Sequence, residues 1–248
     1  DAKSTASNVT GLSDALVETN SMYIGNDPSS TTNSAQYNVA VGTTALDSIT
    51  KGDKNTAVGY DALTTNTEGN YNTASGYQAL QKNISGNENT ASGSYALQEN
   101  IDGIQNTASG AYALQKNKDG NSNTASGYSA LSRNIDGNSN TASGYAALLN
   151  TKGNSNTALG TYAGDKITTG SNNVIIGKYA DPSANNASNQ IAIGQGATGT
   201  GDNYAVIGNA DVTRLYAAQD AGATVYAAGL NLGGTAIAAS ATELNYVD

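Results

Sequence analysis

One glycine recurs through most of this chain at a fixed distance. Gly25, Gly42, Gly59, Gly76, Gly93, Gly110, Gly127 and Gly144 stand seventeen residues apart. Gly160 follows after sixteen, Gly177 and Gly194 after seventeen each, and Gly208 after fourteen. A second column lies seven residues before members of the first: Gly52, Gly69, Gly86, Gly103, Gly120, Gly137, Gly153 and Gly170. The sixteen-residue step falls between Gly144 and Gly153, so the missing residue comes out of a connecting segment and the motif stays whole. A period this strict overrides any domain count taken from length. It predicts a stack of small, equivalent units.

Seventeen residues are too few for a pair of helices. The pattern inside the period alternates instead. In "NTASG", at Asn72, Asn89 and Asn106, the Asn, Ala and Gly point one way and the Thr and Ser the other. Outer copies carry the same positions in β-rich form: "NVAVG" at Asn38, "NVIIG" at Asn173 and "QIAIG" at Gln190. The expected unit is a short strand, a bend at Gly, a second short strand around "YQAL" and an Asn/Gly turn. Units stacked about 4.8 Å apart place like residues in ladders, and twelve of them make a rod roughly 55 Å long. The expected fold is all-β: a parallel β-solenoid, or β-roll, of about twelve such coils with short helical segments at the ends.

The ladders account for the composition. Asn38, Asn55, Asn72, Asn89, Asn106, Asn123, Asn140, Asn156 and Asn173 form one column, whose amides can bond up and down a parallel stack. A second column is expected at Asn66, Asn83, Asn100, Asn117, Asn134 and Asn150. Together with the glycines Gly42, Gly59, Gly76, Gly93, Gly110, Gly127, Gly144, Gly160, Gly177 and Gly194, these asparagines read as structural, because Asn and Gly tolerate the positive φ of tight turns. Asn8, Asn83 and Asn186 also match the glycosylation triplet, a weaker reading. Core positions are small: columns through Ala40–Ala158 and Ala45–Ala163, followed by Leu46, Leu63, Leu80, Leu97, Leu114, Leu131 and Leu148. One Leu and two Ala per coil bury little apolar surface against the ordering entropy, which points to a homo-oligomer.

Two further ladders are candidate surfaces. The pairs flanking the strand alanine are apolar at the ends (Val39/Val41, Val174/Ile176, Ile191/Ile193) and hydroxylated in the middle, from Thr73/Ser75 to Thr141/Ser143. Such a face is either buried, in the coil or at a subunit seam, or exposed as an ice-binding face that orders water. Tyr60, Tyr77, Tyr128 and Tyr145 directly follow the glycine, whereas Tyr95, Tyr112, Tyr162 and Tyr179 come one residue later. In a strand that slip would send the two sets to opposite faces. If the bend absorbs it, the eight rings form one stacked column. The alternative use of these tyrosines is as an exposed stripe that stacks on the sugars of a host-surface glycan.

"NVAVGTTAL", "NNVIIGKYA" and "NQIAIGQGA" resemble the head repeats of trimeric autotransporter adhesins, which are left-handed parallel β-rolls assembled as trimers. "NTAVGYDAL", the opening "NVTGLSDALVETNSMYIGND" and the closing "GGTAIAASATELNYVD" look more like marine phage tail-fibre proteins. The adhesin heads favour Val or Ile where residues 73–143 carry Thr and Ser. The resemblance implies a parallel homotrimer and supplies no catalytic residue. Three regions are expected: 1–20, a short helical neck with Val9, Leu12 and Leu16 on one face; 21–210, the roll; and 211–248, a connector of short strands followed by a helix start, where Ser240 opens a capping box.

Absent residue types narrow the function. There is no His, Cys, Trp or Phe among 248 residues, which removes His-based acid–base catalysis, thiol chemistry and the usual zinc sites. A net charge of −9 argues against nucleic acid, and no apolar run reaches the length of a membrane span. Asp102, Asp119 and Asp136 recur in "DG" turns, where they read as turn formers, with bound calcium as the lesser alternative. No cofactor is expected. The sequence reads as a non-enzymatic structural or adhesive fibre segment of a virion surface, with itself, neighbouring virion proteins and a host-surface glycan or protein as partners. A bacterial adhesin head and an ice-binding solenoid are the alternatives.

Overall fold

The computed structural model describes residues 15–18, 20–25, 32, 34–212, 230–232 and 235–237. The chain divides into two units, residues 1–209 and 210–248. In the first, thirteen strands form one sheet in chain order. β1 (Ala15–Glu18) and β2 (Ser21–Ile24) are an antiparallel pair. From β2 onward every neighbour is parallel: β3 (Val39–Val41), β4 (Thr56–Val58), β5 (Thr73–Ser75), β6 (Thr90–Ser92), β7 (Thr107–Ser109), β8 (Thr124–Ser126), β9 (Thr141–Ser143), β10 (Thr157–Leu159), β11 (Val174–Ile176), β12 (Ile191–Ile193) and β13 (Ala205–Ile207). Twelve parallel strands joined by eleven turns of chain make a β-solenoid.

Register follows the repeat. Thr73 lies on Thr90, Ala74 on Ala91 and Ser75 on Ser92, and the sixteen-residue step still sets Thr157 on Thr141. The glycine bend explains why its column admits nothing else. Its members from Gly42 to Gly194 hold φ between 131° and 144°. A Cβ on Gly93 would stand 2.6 Å from the carbonyl carbon and oxygen of Gly110 in the next coil. Backbone approaches backbone there, and a side chain would force the coils apart.

The "YQAL" segments are turns, not the second strands expected from the sequence. Two residues of each such segment adopt left-handed φ, the one two places after the glycine and the Leu four places after it, as at Tyr95 (61°) and Leu97 (49°). That breaks the extended run, yet the segments still bond between coils: the Leu97 N–H donates to the Ala113 carbonyl at 3.0 Å and the Tyr95 N–H to the Tyr77 carbonyl at 2.8 Å. Backbone groups are thus paired along the stack without a second sheet.

The interior is thin. The two Ala columns and Leu46, Leu63, Leu80, Leu97, Leu114, Leu131 and Leu148 are fully buried or nearly so. Beside them the asparagines are equally buried and do the work of a polar core. Asn106 is representative. Its backbone N–H donates to Asn89 Oδ1 (3.0 Å), and its Nδ2 donates to Asn89 Oδ1 (3.2 Å) and to the Gly120 carbonyl (2.7 Å). Gln190 continues this column after Asn173, its N–H donating to Asn173 Oδ1 at 3.0 Å.

The second asparagine column runs through Asn66, Asn83, Asn100, Asn117 and Asn134, each Nδ2 donating to the carbonyl of the glycine three residues on. From Asn83 onward each also donates to the Oδ1 of the coil before. Asn150 does not belong to it: the next place is taken by Thr151, which is fully buried. Asn150 is only partly covered and bonds instead to Arg133 Nη1 and the Asp165 carbonyl. The deletion lies between Thr151 and Gly153, so counting back from Gly153 shifts the register by one. Ile49 and Ile167, both fully buried, occupy the ladder position outside the column ends. Because the amides all donate in one direction, the last oxygen, Asn134 Oδ1, finds no donor from Thr151 and is buried without a partner. Asn83, at 0 % exposure with its amide engaged, is no acceptor for a glycan.

At the N-terminal end, Leu16 lies in β1 rather than on a helix, because residues 15–18 pair with residues 21–24 and cover the edge of the parallel sheet. Val9, Leu12 and the capping box at Ser240 lie outside the described residues. In the second unit, β14 (Leu230–Leu232) and β15 (Thr235–Ile237) form an antiparallel pair.

Candidate functional site

With Asn and Ala turned inward, the Thr and Ser of the strands face away from the coil interior. β5 to β8 are exposed, buried and exposed at successive residues, so the hydroxyl ladder does not line the core. The apolar residues continuing this face are open as well: Val41, Val58, Leu159, Ile191 and Ile207 are between 37 % and 56 % exposed. Between them the face presents ten hydroxyls, on the five coils from Thr73/Ser75 to Thr141/Ser143.

Around the glycine bend lies the tyrosine column. All eight rings, Tyr60, Tyr77, Tyr95, Tyr112, Tyr128, Tyr145, Tyr162 and Tyr179, form one continuous file with centroids 5.1 to 5.7 Å apart. The bend absorbs the one-residue slip. Tyr95, Tyr112, Tyr162 and Tyr179 occupy the left-handed position, at φ of 54° to 61°. Tyrosines at the same place in the repeat stack nearly parallel (9° to 15°), and the three junctions between the two kinds are edge-on (65° to 71°). At two of these junctions the phenols also meet. Tyr162 is held above its ordinary range first by a hydrogen bond with Tyr145 and then by burial. Tyr95 is raised by burial, then by Tyr77.

This geometry merges the two sequence readings. The rings support one another, but they do so at the surface: Tyr60, Tyr77, Tyr128, Tyr145 and Tyr179 remain about half exposed. In the parallel pairs the facing ring faces cover each other, which favours the edges and hydroxyls as the surface offered to a ligand.

The flank of the column changes along the solenoid. Beside Tyr60 and Tyr77 the places two and five residues after the glycine hold Asp61, Gln78 and Gln81, and both Gln amides donate to Asp61 Oδ2 (3.1 and 3.0 Å). Gln98 bonds back to Gln78 and Gln81, and Gln115 to Gln98. At the next coils those places become Ser129 and Ser132, then Ala146 and Leu149, and a groove of about 400 Å³ opens beside Tyr128, Tyr145 and Tyr162. Lys116 and Arg133 border it. Sequence reasoning missed this groove. Its signal was the loss of long side chains at two ladder positions, visible only once the repeats are aligned in that register.

Further along, burial and the charge of Asp181 raise the Asp165 carboxyl above its usual range, against the opposing pull of Lys166. Lys166 pairs with Asp181 at 3.0 Å. Among the described residues no three His, Cys, Asp or Glu side chains cluster as a metal site would require, and no helix is long and apolar enough to cross a membrane. The "DG" aspartates Asp102, Asp119 and Asp136 are exposed turn residues. Comparison with protein-family models and with curated proteins finds no match.

Proposed function

We propose that this chain is a segment of an attachment fibre, a phage tail fibre in the first instance, that assembles as a parallel homotrimer and carries a host-contacting surface without catalysing a reaction. One observation carries the reading: the strand face is continuous and outward, and its large apolar side chains stand half exposed at both ends of the hydroxyl ladder. Scattered apolar residues on a surface need no explanation, but a file of them on one sheet face marks an interaction surface. A second and third copy laid alongside would cover Val41, Val58, Leu159, Ile191 and Ile207 together and add apolar burial to a core of Ala and single Leu residues. Like residues at like heights suit a parallel, symmetric seam. The hydroxyls in the middle would then bond across the seam or to trapped water.

Sedimentation equilibrium tests the assembly. A trimer at micromolar concentration is expected, and Val58→Asp with Leu159→Asp should release monomers. A folded, stable wild-type monomer would refute the assembly. Immunogold labelling with antibodies against this chain tests the setting. Label on tail fibres of negatively stained particles supports the phage reading, label on a bacterial outer surface supports an adhesin head, and label on neither removes both.

The exposed Thr-x-Ser ladder favours one second reading, an ice-binding solenoid. Thermal hysteresis by the purified chain, lost on Thr107→Tyr at the centre of the face, would establish it. The exposed Val, Leu and Ile at both ends weigh toward the seam.

A further inference from the structure

At the groove beside Tyr128 and Tyr145 the repeat departs from itself in a way that folding does not require. Ser129 sits at φ 55°, and Gln78 holds the equivalent position at 56°, so the backbone accepts a long side chain there. Gln81, Gln98 and Gln115 show that the place of Ser132 also accepts glutamine. Truncation at both positions leaves a floor of small residues, with Ser132 and Ala146 almost fully buried. The glutamine ladder stops here too. Gln115 Nε2 donates back to Gln98 Oε1, and no residue of the next coil donates to Gln115 Oε1, which is left to accept from a ligand.

Charge singles out the same spot. The chain carries only 11 Lys and Arg against 20 Asp and Glu. Lys116 and Arg133 occupy the same ladder position on adjacent coils, both exposed at the border of the groove. The ion pairs among the described residues are Lys51–Glu68, Lys82–Glu99 and Lys166–Asp181, and neither groove cation belongs to one. Glu99, one coil before Lys116, is engaged by Lys82. Arg133 donates one bond, to Asn150 Oδ1 at 2.9 Å, which leaves the rest of its guanidinium donors to a ligand. Two adjacent cations with no carboxylate partner, in an acidic chain, are suited to an anionic group brought by something else.

We propose that this groove is a binding subsite for an anionic saccharide unit, with Lys116 and Arg133 taking its acidic group. Ser129, Ser132 and Gln115 Oε1 meet its hydroxyls, and the edges of Tyr128 and Tyr145 pack against its C–H surface. The volume of about 400 Å³ lies in the range of small-ligand clefts. Donors and acceptors around an apolar wall match a sugar, whose ring carries both. The subsite gives the attachment reading a ligand class and rests on that reading only for its biological setting.

The test uses the intact chain and three probes: an oligogalacturonate, its methyl-esterified neutral counterpart and a sulfated glycosaminoglycan oligosaccharide, titrated calorimetrically at 50 and 200 mM salt. Binding to an acidic probe, weakened by salt and by esterification, is expected. Binding of only the sulfated probe supports the site and identifies sulfate as the acidic group. Lys116→Gln with Arg133→Gln should weaken binding by about tenfold or more, the scale of hydrogen bonds to charged groups. Ser129→Gln with Ser132→Gln, which restores the pattern of the earlier coils, should abolish binding while leaving the melting temperature unchanged. Lys51→Gln, away from the groove, should bind like the parent. No binding to either acidic probe, equal binding to the neutral one, or full binding by the groove-filled variant overturns the proposal. Sedimentation of the same variants as trimers shows that the fibre reading stands or falls separately.

Discussion

Truncating one buried asparagine measures what holds the coils together. Asn106→Ala removes four hydrogen bonds: Nδ2 to Asn89 Oδ1 and to the Gly120 carbonyl, and those that Asn106 Oδ1 accepts from the N–H and Nδ2 of Asn123. Three of the stranded groups keep another partner. Asn89 Oδ1 still accepts from the residue 106 N–H, the Gly120 carbonyl from Asn117 Nδ2, and Asn123 Nδ2 still donates to the Gly137 carbonyl. The Asn123 N–H has no other acceptor and is left bare in the interior. An orphaned buried donor costs about 1–3 kcal/mol, and each of the three shared bonds lost about 0.5–1 kcal/mol, which sums to roughly 2.5–6 kcal/mol. A water drawn into the vacated space would recover part of this. Stacked coils open locally, so amide exchange is the suitable assay beside thermal melting. Protection should fall over the three coils centred on residue 106, with Lys118→Ala, an exposed residue away from the strand face, as the control. A loss under about 1 kcal/mol would refute the reasoning, because the ladder would then be a passive filler rather than the polar core.

Gly93→Ala should prevent ordered stacking, seen as loss of the cooperative circular-dichroism transition, because its Cβ would meet backbone at 2.6 Å. Gly196→Ala has open space and a φ of 62°, so only the left-handed penalty of about 1–2 kcal/mol applies. Replacing Tyr95 and Tyr112 together by Ala removes three ring contacts, at about 0.5–1.5 kcal/mol each, and should lower the melting temperature by several degrees; an unchanged melt would leave the column as a binding stripe alone. Asp165→Asn tests a titration. A carboxyl raised in the folded state stabilises the fold when protonated, below its unfolded value, and that contribution is lost as pH rises through the folded value. The variant should therefore melt higher than the parent at pH 7 and equal it in acid, and a lower melt at pH 7 would contradict the burial and Asp181 account.

Periodicity carried the fold. The spacing of Gly42 to Gly194, the alternation in "NTASG" and the Asn, Ala and Leu columns are properties of residue order, and a stacked array leaves each of them one place to go. That Thr and Ser face away from Asn and Ala followed from the same alternation, since a strand sends successive side chains to opposite faces; which of the two faces turns outward was decided by the structure. Asn150 shows the limit of counting: one residue lost between Thr151 and Gly153 moves the register, and only the structure shows on which side of the gap each residue aligns.

Other features were decided by the coil as a closed object. "YQAL" has strand-like residues, but closing a seventeen-residue turn requires left-handed φ at positions such as Tyr95 and Leu97, and extended structure ends there. That same corner lets tyrosines one residue apart share a single column, which strand geometry forbids. Leu16 has helical spacing to Val9 and Leu12, yet residues 15–18 pair with β2, because an exposed sheet edge offers unpaired backbone groups that a local helix does not satisfy. The groove beside Tyr128 arises from what is absent at positions 129, 132 and 146, and a missing side chain becomes a cavity only when the neighbouring coils are stacked around it.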